Sequence, residues 1–279
     1  MVIITGLLLI IIGIIAGGYG AIVGAGGGFI FVPALLLLFH VEPTIAAGTG
    51  LVIVLMNSLS GVVGYSKQKR IDYRTGILLS IGAFPGSFIG VWLLQMYASS
   101  SFYILFASLL VILGVFLIVK NTRVEKKSGL QDSKNVSNQV AATTEQNHSE
   151  HSKPLAYEPK SRLLAKYLLP LGLIMGIFSS YLGIGGGWLL VPILIYIFRM
   201  STHNATATSI FSLCLYTSVG VILQIINGNV DWSYVLYGGL GIVVGSQLGV
   251  RLSQKIPSRV IMQMLSVLLI VIGFRMYFQ

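Results

Sequence analysis

Two glycine runs stand out among the residues able to do chemistry, Gly24-Ala-Gly-Gly-Gly28 and Gly183-Ile-Gly-Gly-Gly187. Consecutive glycines weaken a helix, so each run predicts a break, after which a new helix starts with unpaired backbone N–H groups. Such a start attracts anions through those N–H groups and through the helix dipole. Pro33 and Pro192 follow a few residues on, in the first turns or at kinks. Gly26, Gly27, Gly28, Gly185, Gly186 and Gly187 are therefore candidate substrate contacts. The four-residue ladder Gly20, Gly24, Gly28 also suits plain helix packing, and that reading competes.

Polar side chains in apolar surroundings complete the candidate site. Thr49 and Thr208 open equivalent segments after the glycine runs, and Ser209, Asn57, Ser58 and Ser212 add hydroxyls and an amide. The ordinary role of a lone Ser or Thr in a helix is to bond the preceding turn's carbonyl. The symmetric placement of Thr49 and Thr208 raises them above that, with Ser209 beside the latter. Asn57 is costly in lipid and should face the protein interior; Tyr216, also polar-tipped, occupies the matching position.

Missing chemistry is equally informative. No Asp, Glu, Lys or Arg falls in the middle of an apolar segment, so no buried carboxylate relay is expected. Asp72 and Asp231 precede Tyr73 and Trp232 and read as helix N-caps beside interfacial aromatics, while Glu42 also lies near a segment end. His40, His148, His151 and His203 have no ligand spacing, and Cys214 is the single cysteine. No metal, no cofactor and no catalytic set is expected, which argues against an enzyme. The glycine runs look superficially like a dinucleotide loop, yet lack the strand before and the acidic residue after. Nor does any nucleotide motif support ATP coupling within this chain.

The elements that must carry these groups are membrane helices. Of the 279 residues 55% are hydrophobic and only 9% charged, against about a quarter charged in soluble domains. The net charge of +10 sits in short loops and one linker, as in cytoplasmic loops, and not in a nucleic-acid surface. The first nine residues carry no Lys or Arg, and the same apolar pattern recurs around Pro170, so the opening segment is expected to be a retained span.

The chain repeats itself. Slid by 159 positions, Gly24 falls on Gly183, Thr49 on Thr208, Asp72 on Asp231, and Gly82, Gly86 and Gly90 on Gly241, Gly245 and Gly249. One register over about a hundred residues defines two membrane repeats, 1–120 and 162–279. Between them, 121–161 is rich in Ser, Asn, Gln, Thr, Lys and Glu and should be a disordered cytoplasmic linker. Each repeat reads as five apolar segments: 3–23, 27–39, 45–65, 73–97 and 101–119, then 164–183, 186–199, 204–226, 233–252 and 259–277. The second of each is shorter than the hydrocarbon core is thick, yet it must count as a crossing if the halves face opposite ways, since inversion needs an odd number of crossings per half. The four-spaced glycines of the fourth segments should build helix interfaces.

Charge orients the repeats. Lys67, Lys69, Arg70 and Arg74 follow the third segment of the first half, whereas 227–231 has no positive charge. Arg251, Lys255 and Arg259 sit where the first half has only Tyr, Ala and Ser. By the positive-inside rule the halves face opposite ways. The expected fold is thus an all-α integral membrane protein of two inverted-topology repeats, about five segments each, with a short Gly/Pro-broken segment in each half. Both termini lie outside and the linker inside. The alternative makes the short segments re-entrant hairpins, with eight spans and parallel repeats, and leaves the charge swap unexplained. Inversion carries a difficulty of its own: if 3–23 and 164–183 are full spans, the two breaks lie at opposite faces unless those helices tilt or end near the midplane.

The paired Gly-x-Gly-Gly-Gly-x-x-x-Val-Pro motifs, with Ala46-Ala-Gly-Thr49 and Ala205-Thr-Ala-Thr208 beyond them, resemble the TauE/SafE family of membrane permeases. The resemblance covers the chain except the linker. It implies transport of small sulfur-containing anions such as sulfite or organosulfonates, often as export, with the glycine motifs at Gly26–Gly28 and Gly185–Gly187. The expected function is a secondary transporter working by alternating access; an anion channel, or a permease for a non-sulfur solute, is the alternative. Expected partners are a small anionic solute and membrane lipids, with no nucleic acid and with homo-oligomerisation left open. The expected location is the cell membrane of a prokaryote, as a multi-pass protein.

Overall fold

A computed structural model describes residues 2–97, 102, 106–117, 119 and 161–277. Every regular element among them is helical: α1 Val2–Val23, α2 Gly28–Leu38, α3 Pro43–Lys67, α4 Tyr73–Tyr97, α5 Phe106–Leu117, α6 Ser161–Leu182, α7 Gly187–Tyr196, α8 Thr202–Ile226, α9 Trp232–Ser253 and α10 Ser258–Tyr277. Five of these, α1, α3, α4, α8 and α9, are long and apolar enough to cross a membrane. Their outward residues, such as Ile11, Ile15, Ile81, Trp92 and Leu248, are large, apolar and exposed, as lipid-facing positions are. The two segments expected to be short are shorter still, with 11 residues in α2 and 10 in α7. The linker expected over 121–161 lies, except for its last residue, outside the described residues.

The four-spaced glycines do build interfaces, and backbone meets backbone there. Ile10, Ile14 and Gly18 of α1 meet Gly241, Gly245 and Gly249 of α9 in order; Leu169, Leu173 and Ile177 of α6 meet Gly82, Gly86 and Gly90 of α4. At all six glycines an added Cβ would overlap the partner's carbonyl oxygen. Lipid supplies no hydrophobic drive to bring helices together, so this close approach and its dispersion energy must do so. Each contact joins the first helix of one half to the fourth helix of the other.

Matching contacts in order also give the helix directions. α1 runs parallel to α9, and so does α3, which sets Gly48 against Asn229, Met56 against Gly239 and Gly64 against Val250. α4 runs parallel to α6 and also to α8, with Asp72 bonded to Thr208 and Gly76 to Ser212. The central pair α3 and α8 is antiparallel, Leu51 lying against Gly220 and Ile210 against Gly61. Hence α1, α3 and α9 point one way and α4, α6 and α8 the other. Between parallel α1 and α3 the chain must come back, and α2 carries it. Gly27 lies against Ala16, Phe31 against Gly238, and Phe39 stacks edge-on with Tyr234 at 5.7 Å.

Candidate functional site

The glycine runs end α1 and α6 and begin α2 and α7. At the end of α1 the N–H groups of Gly24 and Ala25 both donate to the Gly20 carbonyl at 2.9 Å. Gly24, Gly26 and Gly27 then take φ of 83°, 85° and 75°, and Gly183 and Gly185 take 71° and 73°. A side chain is strained in this left-handed region. The break folds back so tightly that a Cβ on Gly20 would overlap the Gly27 nitrogen.

The two breaks touch each other. A Cβ on Gly28 would stand 2.8 Å from the Ile184 Cα, and one on Gly187 would stand 2.8 Å from the Ala25 Cα. Val54 and Leu213, near the midpoints of α3 and α8, each lie against both Gly26 and Gly185. The difficulty about depth is thereby removed. α1 runs the full length of α9, but its break folds back toward the middle of the central helices. Gly26, Gly28, Gly185 and Gly187 meet there, whereas Gly27 faces Ala16 and Ile242 and Gly186 faces Tyr216 and Met175.

Polar groups around the breaks differ between the halves. Helices α2 and α7 start at Gly27 and Gly186, neither capped by a side chain. The Gly186 N–H donates to the Tyr216 hydroxyl at 3.0 Å. Asn57, the position matching Tyr216, is fully buried, and both its amide nitrogen and its amide oxygen lack a partner. Leaving such a group unpaired costs about 1–3 kcal/mol. Ser209 donates to the Gly24 carbonyl at 2.8 Å. Thr206, whose methyl group lies against Gly24, has a buried hydroxyl with no partner.

Thr49 and Thr208 do something else with their hydroxyls. Thr49 accepts from the Asp231 N–H and Thr208 from the Asp72 N–H, each at 3.0 Å. The aspartates are N-caps, as their positions indicate: Asp231 accepts from the Ser233 N–H at 2.8 Å, and Asp72 from the Thr75 N–H at 3.2 Å. Ser212 bonds back to the Thr208 carbonyl at 2.9 Å, the ordinary role for a helical Ser. Tyr216 and Thr206 are the residues that reading the sequence did not place in the site. The matching of Tyr216 with Asn57 was the available signal for the first; Thr206 carried none beyond its place in the Ala205–Thr208 run.

Backbone N–H groups, hydroxyls and one amide can hold an anion by dipoles without a formal counter-charge. No group of His, Cys, Asp and Glu able to hold a metal occurs among the described residues. A groove of about 510 Å³ between α5, α6 and α7, lined by Ile112, Phe178 and Trp188 among others, is almost wholly apolar, with Ser108 as its one hydroxyl.

Comparison with known proteins gives the family. The model of the family described as sulfite exporter TauE/SafE matches residues 9–276. The chain is 29% identical to the probable membrane transporter protein YunE of Bacillus subtilis, over 98% of this chain and 97% of that protein. It is 26% identical to the probable membrane transporter protein MJ0441 of Methanocaldococcus jannaschii, over 96% of this chain and 94% of the relative. No solved structure matches.

Proposed function

The chain belongs to the TauE/SafE family of membrane transporters, and we propose that it is a secondary transporter for a small oxyanion, sulfite or an organosulfonate, working by alternating access. The observation that carries this reading is the meeting of the two glycine breaks midway along α3 and α8, backbone against backbone. Short helices interrupted at matching places in two halves are where transporters hold their substrates, and uncapped helix starts favour negative charge. The family's name favours sulfite and export as the direction.

The proposed site is the backbone of Gly26, Gly27, Gly28, Gly185, Gly186 and Gly187, flanked by Asn57 and Ser209. Thr49 and Thr208 clamp the opposite half around it. The proposed topology is two inverted repeats in a cell membrane, with the linker on the cytoplasmic side. The antiparallel run of α3 against α8 and the swapped Lys and Arg of equivalent loops support it. Because α2 returns the chain between two parallel helices, it counts as a crossing in this scheme.

Purified protein in proteoliposomes tests the function. Sulfite or a sulfonate should enter saturably and exchange faster when the same anion is present on the other side. Flux without saturation or exchange would indicate a channel, and absence of flux for every small anion tried would sink the proposal.

A further inference from the structure

The two breaks match in backbone position but not in the groups around them. At the second break the Gly186 N–H is already bonded, because the Tyr216 hydroxyl sits on it at 3.0 Å. At the first break the matching residue is Asn57, fully buried, with neither amide atom bonded. Val54, one turn earlier on the same side of α3, lies against Gly26 and Gly28 just as the matching Leu213 lies against Gly185 and Gly187, so Asn57 takes in the repeat the place from which Tyr216 reaches Gly186. The surroundings of Gly24 and Gly183 differ as well. The Thr206 methyl lies against Gly24 and its buried hydroxyl has no partner, whereas the matching position beside Gly183 is Ala47, which has no polar side chain. The backbone differs too, with φ of 75° at Gly27 but −90° at Gly186.

A buried amide is rarely left unbonded unless something else bonds it. We propose that anion binding is confined to the first break, where the Asn57 amide and the N–H groups at the start of α2 hold one oxyanion, while Tyr216 fills the equivalent place at the second break. This rests on the transporter reading and makes its site one-sided. The ligand is a small oxyanion, because the groups available there are neutral donors: the Asn57 amide offers two N–H donors and the helix start its free N–H groups. Neutral donors hold an anion without the deep well of an ion pair, which suits a site that must also release.

The full chain in detergent micelles, titrated with sodium sulfite and sodium methanesulfonate, tests the proposal by calorimetry and by flux in proteoliposomes. Wild type should bind one anion per chain. Asn57→Leu, which keeps the branching at Cγ and removes the amide, should weaken binding about tenfold or more. Asn57→Asp, which replaces the donor with a like charge, should abolish it. The mirror change Tyr216→Phe should cost less than about twofold by the same reasoning. Should the Asn57 variants fail to fold, the wild-type side-chain amide signal in ¹⁵N NMR still decides, because it should shift on adding sulfite. An unmoved signal, full affinity in folded Asn57→Leu, or an equal loss in Tyr216→Phe overturns the one-sided site, while flux by wild type keeps the transporter reading. If wild type neither binds nor moves either anion, both fall.

Discussion

The Thr49 hydroxyl accepts a hydrogen bond from the Asp231 N–H at 3.0 Å, and Thr208 accepts one from Asp72 at the same distance. Each bond crosses from one half to the other, and the two are exchanged by the 159-residue shift that relates the repeats. The bonding is thus reciprocal between equivalent residues of the two halves. Each aspartate's side chain caps its helix while its own N–H is taken by the far threonine. The start of the third helix in one half is thus tied to the start of the fourth in the other.

Removing either latch should therefore weaken the fold. Thr49→Val and Thr208→Val are each expected to cost about 1 kcal/mol, read as a lower melting temperature of the detergent-solubilised protein. The double variant should lose about the sum, since the two bonds share no partner. Thr→Ser at either position should retain most of the stability. A Thr49→Val protein as stable as wild type would falsify the latch.

Matching glycines at the breaks should not respond alike. Gly27 has φ of 75°, and a Cβ there would lie 2.8 Å from the Ala16 carbonyl oxygen. Gly186 has φ of −90°, and its Cβ would meet the Tyr216 hydroxyl at 2.7 Å and Met175 no closer than 3.4 Å. Gly27→Ala is expected to destabilise the protein by about 1–2 kcal/mol more than Gly186→Ala. Paired thermal melts measure the difference; equal losses would mean that conformation is not what sets the two apart.

The interface glycines should be less tolerant than a loop glycine. A methyl at Gly86 overlaps the Leu173 carbonyl, and one at Gly245 overlaps that of Ile14, both rigid backbone. Overpacking of this kind costs about 1–3 kcal/mol. Gly228→Ala meets nothing within 4 Å, though its φ is 70°, so only conformational strain of about 1 kcal/mol is expected. Chromatographic monodispersity after mild heating should rank Gly86→Ala and Gly245→Ala well below Gly228→Ala.

Topology can be measured by cysteine labelling on a Cys214→Ser background. Asn229 is a poor position for the outer loop, being buried with its amide on Gln224 at 2.7 Å. Exposed Asn227 is the better one. A membrane-impermeant thiol reagent added outside intact cells should label Asn227→Cys and spare Asn138→Cys in the linker. Labelling of both from one side contradicts inverted repeats.

What the sequence reveals here depends on how local the physics is. The helix interfaces were readable because a backbone in contact with a backbone demands glycine at every fourth position, as at Gly82, Gly86 and Gly90. The caps were readable because Asp72 and Asp231 act on residues two or three positions away. The role of Thr49 was not, because its donor lies 182 positions along the chain, in the other half. Nor was the meeting of the breaks, since segment length alone cannot say that Gly27 folds back beside Ala16. The difference between Gly27 and Gly186 is likewise hidden, for the letters are identical and only the neighbours, Asn57 and Tyr216, distinguish them.

The pairing of α1 with α9 has a consequence for how the molecule is made. Most of the chain is synthesised between the two, so the glycine face of α1 waits in lipid without its partner until the second half has inserted. α4 and α6 are separated chiefly by the polar linker and can pair much sooner. Assembly then begins from the middle of the chain and closes with α1 and α9. Neither half can be an independent folding unit, because each keeps the surface that the other's first helix needs. Two separately produced halves should instead complete one another in the same membrane.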